Sequence, residues 1–251
     1  MKQFLNTIEF DQKIIKSLET ADTRVLDVID KLQKLQKTYQ DKGLSNSFFI
    51  QSIYDIERRL LINLNKYNKL ILLDQEMKWV NMILDFRIFK IGSLRFQLFP
   101  MHYEEIIRSG KDYMPLSDLM RRRFPPNLPL INIHIEKQTD LSHEAVESSI
   151  QQARHFFSEV FPNYKFEGFV TRTWLIYPGI ISLLEPTSNI YKFAQRFEII
   201  ATNQATYQAL SRVYATEDLE TIKKLPKKTS LENRIYQNLD KLGVAFGFFP
   251  F

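Results

Sequence analysis

The sequence predicts an α+β protein: a helical N-terminal part, then a part in which strands and helices mix. Three observations predict it. Apolar residues recur every three or four positions through about residue 86. From Phe86 onward the period changes to two. Between Leu128 and Phe197 a strand, a long helix, a second strand and a short helix follow in order, the pattern of a right-handed βαβ unit.

Residues 11–39 carry Ile15, Leu18, Val25, Val28, Ile29, Leu32 and Leu35 among many Lys and Gln. After Gly43 the stripe is more regular: Phe49, Ile53, Ile56, Leu60, Leu64, Tyr67 and Ile71, with Asn46 or Ser47 as the expected cap. Residues 75–86 read as a further short helix. The heptad does not persist, which argues for a helical layer rather than a coiled coil. Residues 87–99 alternate on either side of Gly92-Ser93, as two strands joined by a tight turn or as one strand bulged at Gly92. Residues 100–127 are irregular, with five interspersed Pro and Gly and the run Arg121-Arg122-Arg123, which reads as an anion contact or as a solvated basic turn.

In residues 128–136 Ile131, Ile133 and Ile135 face one way, and Asn132, His134 and Glu136 the other. Residues 142–160 form one amphipathic helix, with Val146, Ile150, Ala153, Phe157 and Val160 on its apolar stripe and Ser142 as N-cap. Residues 166–176, including Trp174, read as the second strand. Thr187-Ser188-Asn189 starts the short helix that bears Tyr191 and Phe193. A strand at 197–201, a helical turn or strand at 207–213, and a helix at 230–242 follow. The Ser-Leu-Glu-Asn run at 230 is cap-like without a full capping box. The apolar end, 244–251, is expected to form a final strand.

Composition narrows the function classes. The 251 residues include no Cys, which excludes disulfides, thiolate metal sites and a cysteine nucleophile. No apolar run approaches the roughly 20 residues of a membrane span. Residues 1–6 lack a signal-peptide core, so a cytoplasmic location is expected. The four His have no paired-ligand spacing, so no metal is expected. A net charge of +5 is mildly basic: it argues against a dedicated nucleic-acid binder and suits an acidic co-substrate. There is no nucleophile elbow, Walker loop or dinucleotide fingerprint.

Several ordered motifs resemble a bacterial family of acyltransferase-domain proteins, in which a helical N-terminal domain precedes a GNAT-like N-acyltransferase domain. They are Ile91-Gly92-Ser93-Leu94-Arg95-Phe96-Gln97-Leu98, Ile133-His134-Ile135, Ala153-Arg154-His155-Phe156-Phe157, Thr173-Trp174-Leu175-Ile176-Tyr177-Pro178 and Ser188-Asn189-Ile190-Tyr191-Lys192-Phe193. The resemblance implies domains at 1–86 and 87–251. It also implies a mixed, mostly antiparallel sheet flanked by helices and splayed between the strands at 128–136 and 166–176. In such enzymes acyl-CoA lies in the splay, with its pyrophosphate at the N-terminus of the helix after the first strand, here Ser142. The expected co-substrate is acyl-CoA or acetyl-CoA, and the expected acceptor is an amine on a small molecule or peptide. The loop 136–142 departs from the usual pattern: it has no glycine, and it carries Asp140. A non-catalytic binding or regulatory protein on the same scaffold is therefore the alternative.

The candidate catalytic residues are His134, Glu136 and Tyr191. His134 is a base that titrates near neutrality or a hydrogen-bonded sheet histidine. Glu136 is a second possible base or an exposed strand-end carboxylate. Tyr191 matches the tyrosine that, in GNAT-type enzymes, protonates the leaving thiolate. Candidate co-substrate contacts are Ile133 and Ile135 through their backbone, Ser142, Trp174 as a pocket wall or core residue, and Ser188 and Asn189 as hydrogen-bonding groups or helix caps.

Overall fold

The computed structural model describes residues 1–103 and 114–251. The chain divides into two compact units, Met1–Lys90 and Ile91–Phe251.

The first unit is helical: α1 (Lys2–Thr7), α2 (Gln12–Lys16), α3 (Thr23–Asp41), α4 (Asn46–Tyr67) and α5 (Asp74–Leu84). The segment 11–39 is not one helix. Asp11 and Asp22 each turn extended and accept the backbone N–H two residues on, so each starts a new helix. Neither Asn46 nor Ser47 caps α4; Ser45 does, because its hydroxyl meets the Phe48 N–H at 3.2 Å. Of the stripes read from sequence, Val25, Val28, Ile29, Leu32 and Leu35 on α3 and Phe49, Ile53, Ile56 and Leu60 on α4 are buried, whereas Tyr67 is exposed and Ile71 lies beyond the end of α4. Tyr39 meets Phe49 and Phe86 edge to face at 5.3 and 4.9 Å. Buried Asp55 accepts from Arg58 Nη2 at 2.6 Å and Arg59 Nε at 2.8 Å. Burial pushes its carboxyl up, but the two guanidinium groups outweigh that and hold it below the usual range.

The division falls within the first strand of a mixed sheet. The strands are β1 (Ile88–Ile91), β2 (Leu94–Pro100), β3 (Pro129–His134), β4 (Gly168–Thr173), β5 (Glu198–Asn203) and β6 (Val244–Pro250). Among the described residues their order is β1-β2-β3-β4-β6-β5. Gly92 resolves the choice left at residues 87–99. It sits at φ +58°, and an added Cβ would lie 2.3 Å from Ser149 Oγ, so the chain makes a tight turn between two strands. The β2–β3, β4–β6 and β5–β6 pairs are antiparallel, and only β3–β4 is parallel among them.

The short α6 (Asp118–Arg123) precedes β3, and the crossover from β3 to β4 is the long helix α7 (His143–Val160). Helix α7 buries Val146, Ile150, Ala153 and Phe157, as its stripe requires. Then come α8 (Pro178–Ile181), α9 (Asn189–Ala194), α10 (Tyr207–Tyr214), α11 (Leu219–Lys224) and α12 (Ser230–Gln237). Two expectations are corrected here. The second strand stops at Thr173, whose hydroxyl accepts the Leu175 N–H, and Trp174 opens a 3-10 turn. Thr229, not Ser230, caps α12, and Glu232 completes a capping box by accepting the Thr229 N–H at 2.8 Å. The apolar C-terminal segment is an inner strand, paired on both sides.

Candidate active site

Register decides which side chains meet. Arg95 lies opposite His134, Gln97 opposite Asn132, and Phe99 opposite Leu130. Alternation puts all six on one face of the sheet. At one end of that face Phe99 and Leu130 join an apolar core with Met101, Met114, Phe124, Val170 and Phe248. The other end is polar. Gln97, 4% exposed, sets its Oε1 2.8 Å from His134 Nε2 and accepts from Asn132 Nδ2 at 3.4 Å. Arg95, 1% exposed, donates through Nε to Glu136 Oε1 at 2.8 Å. A guanidinium is held at this depth only where a counter-charge meets it, and the Glu136 carboxylate supplies one. Asn132 Oδ1 is buried and has no hydrogen-bond partner among the described residues.

His134 also lies where two strands part. The β3–β4 ladder pairs Ile131 with Phe169 and Asn132 with Val170. Beyond those pairs, β3 continues against β2 and β4 against β6. The carbonyl of Ile133, past the last registered pair, accepts instead from the buried Thr171 hydroxyl at 2.9 Å. Ile133 is buried. Ile135 and Trp174, at the parted ends, belong to one apolar cluster with Leu141 and Ile190, so Trp174 is a core residue whose backbone N–H donates to Gln208 Oε1.

The start of α7 is a separate locus. Ser142 sits at the N-cap position without a side-chain cap bond. Its N–H donates to Asp140 Oδ1 at 2.8 Å, and its N–H and hydroxyl together hold the exposed Asp140 carboxyl below the usual range. Arg196 pairs with Glu147 and lies 2.8 Å from His143 Nδ1, tying the residue just beyond α9 to the first turns of α7.

A third locus is α9. The Ser188 hydroxyl caps it by accepting the Tyr191 N–H at 3.3 Å, and Asn189 is exposed at its first position. Tyr191 lines a cavity of about 380 Å³ with Ile176, Ile181, Ser182, Gln195 and Phe197. Neither His134 nor Glu136 lines it. The fold thus gathers His134 with Gln97 and Asn132, and Glu136 with Arg95, while Ser188, Asn189 and Tyr191 follow one another at the start of α9.

Arg95, Gln97 and Thr171 were not singled out by sequence. Arg95 and Gln97 alternate with Leu94, Phe96 and Leu98, yet residues on both faces of β2 are buried. The available signal was their spacing, which matches that of Asn132 and His134. Of the triple-arginine run, Arg123 grips Glu198 with both terminal nitrogens, one at 2.8 Å, and Arg121 donates to the Leu116 carbonyl at 3.2 Å. Residues 104–113 of the irregular region lie outside the described residues. Among the described residues no metal-holding cluster forms, and no helix is long and apolar enough to cross a membrane.

A mixed sheet with one parallel pair that parts at its centre, a helix crossing between those two strands and an inner C-terminal strand together define a GNAT-like acyltransferase fold. The chain belongs to the GNAT-like C-terminal domain family, whose pattern matches residues 88–248. It is similar in structure to an acyltransferase in complex with decanoyl-CoA and teicoplanin: TM-score 0.69, 17% identity, covering 90% of this chain and 65% of that one. An acyltransferase in complex with CoA and 10C-teicoplanin gives the same values. One in complex with decanoyl-CoA gives a TM-score of 0.67 at 16% identity, covering 88% of this chain and 63% of that one. The chain therefore spans somewhat less than two-thirds of the length of these solved acyltransferases. No curated protein matches it.

Proposed function

We propose that the protein is an N-acyltransferase that moves an acyl group from acyl-CoA to an amine on a small molecule or peptide. The observation that carries this reading is His134, set on the polar face at the point where β3 leaves β4. In the proposed reaction the amine nitrogen attacks the thioester carbonyl. Backbone N–H groups of residues 132–136, including Ile133 and Ile135, stabilise the oxygen. His134 takes the amine proton as the C–N bond forms, the C–S bond breaks, and Tyr191 protonates the departing thiolate. The products are an amide and free CoA. Ser142 meets the pyrophosphate, Ser188 and Asn189 bond the pantetheine, and Trp174 backs the acyl pocket. Residues 1–86 form a helical domain and 87–251 the catalytic one. The solved acyltransferases of the same fold, one in complex with decanoyl-CoA and teicoplanin and one with CoA and 10C-teicoplanin, support the donor class.

A second reading is favoured by one observation: the Asp140 carboxylate occupies the N–H at the start of α7 where a pyrophosphate would bind. It is a non-catalytic binding protein on this scaffold. His134→Ala separates the two. An enzyme loses turnover by about tenfold or more with its fold intact, as expected for a lost general base. Unchanged turnover removes His134 from the chemistry.

A further inference from the structure

We propose that Thr171 is a positioning residue: its hydroxyl ends the β3–β4 ladder at Ile133 and so leaves the Ile135 N–H for the thioester oxygen. The inference rests on the acyl-transfer reading and names the residue that opens its site. In a strand the N–H and C=O of one residue point to the same edge, and alternate residues share that edge. The Pro129 carbonyl accepts the Glu167 N–H at 3.0 Å, just ahead of β4, and the Ile133 carbonyl accepts the Thr171 hydroxyl at 2.9 Å. Residues 129, 131, 133 and 135 therefore turn their backbone groups towards β4. The ladder registers Ile131 with Phe169 and Asn132 with Val170, so the next rung would join Ile133 to Thr171. At that rung a side chain stands in for the backbone. A carbonyl oxygen only accepts, so the Thr171 hydroxyl is the donor.

Thr171 is 1% exposed, and a carbonyl beyond the end of a buried ladder needs a donor. The hydroxyl supplies one without drawing the two backbones into register. Branching at Cβ keeps the Thr side chain stiff, so the wedge has one setting. From its other side β4 is held by β6, where Thr171 pairs with Gly247. Ile135 is the first residue of the β4-facing set past the wedge. Its N–H points into the gap, where an oxygen gaining charge would be stabilised.

Thr171→Val keeps the shape and removes the hydroxyl; Thr171→Ser keeps the hydroxyl. The first readout needs no ligand. Amide hydrogen exchange of the free wild-type protein should be faster at Ile135 than at Ile131, which lies inside the ladder. In Thr171→Val the next rung should form and slow exchange at Ile135, whereas Thr171→Ser should match wild type. The second readout is calorimetric binding of acetyl-CoA. Thr171→Val should weaken it about tenfold, the worth of one hydrogen bond, and Thr171→Ser should stay within about twofold of wild type. A hydroxyl that served stability alone would lower the unfolding midpoint and leave both readouts unchanged, which would overturn the proposal. So would Thr171→Ser behaving as Thr171→Val does. Should Thr171→Val not fold, wild type alone decides: an Ile135 amide as protected as that of Ile131 sinks the proposal. If wild type does not bind acetyl-CoA, the acyl-transfer reading falls together with the thioester role. The exchange pattern then still supports or refutes Thr171 as the end of the ladder.

Discussion

Glu136 and His134 lie on one face two residues apart, yet their surroundings give them different work. Glu136 is 28% exposed, but its carboxylate is bonded to a guanidinium that is 1% exposed. An ionised carboxylate in that position lowers the free energy of a buried cation, and taking up a proton would forfeit that. His134 meets the neutral carboxamide of Gln97 at 2.8 Å. Glu136→Gln should therefore act first on stability, costing about 2–3 kcal/mol in urea denaturation. In an Arg95→Met background the same change should cost much less, because the cation is already gone. Lost turnover at unchanged stability would instead make Glu136 the base.

At the scale of elements, helix α4 ties its surface to its core through Asp55, which bonds both Arg58 and Arg59. Its carboxyl is lowered from the ordinary 3.8, so the folded state holds the charged form more tightly than the unfolded chain does. The stabilisation is full above that value and disappears as pH falls through the lower folded one. Asp55→Asn should destabilise the helical unit at pH 7 by about 2–4 kcal/mol, and the gap to wild type should narrow as pH falls below the ordinary 3.8 in denaturant titrations. A gap that widens in acid would contradict the pairing. Elements of this kind were legible because they rest on local chemistry: the stripes of α3, α4 and α7 are periodic, and β3 alternates. What stayed hidden depended on distant partners. The end of β4 at Thr173 is joined by a bond from Trp174 to Gln208, thirty-four residues on. The roles of Arg95 and Gln97 depend on a register with β3 that alternation alone does not set. The candidate site was thus half visible: His134 stood out as a titratable group on a polar strand face, whereas nothing in the sequence paired it with Gln97.

For the molecule as a whole, two compact units mean that ligand binding need not shift one global transition. A donor that binds only residues 91–251 should raise the unfolding midpoint of that unit. At about a hundred times its dissociation constant it should add roughly 2.7 kcal/mol there. Calorimetry with CoA, acetyl-CoA and a longer acyl-CoA tests this, and the chain's own charge sharpens it. A net charge of +5 favours an anionic donor at long range, while Asp140 opposes it at the helix end where the pyrophosphate is expected. Asp140→Asn removes the local opposition and leaves the long-range field nearly unchanged. It should strengthen CoA binding about threefold at low salt, the gain shrinking as added salt screens the exposed carboxylate. An acyl-pantetheine without phosphates should bind the two proteins equally. A threefold gain for CoA alone would locate its phosphates at the start of α7. Equal gains for both ligands, or none, would place the phosphates elsewhere and leave Asp140 as the acceptor that fixes Ser142 ahead of a helix that carries no anion.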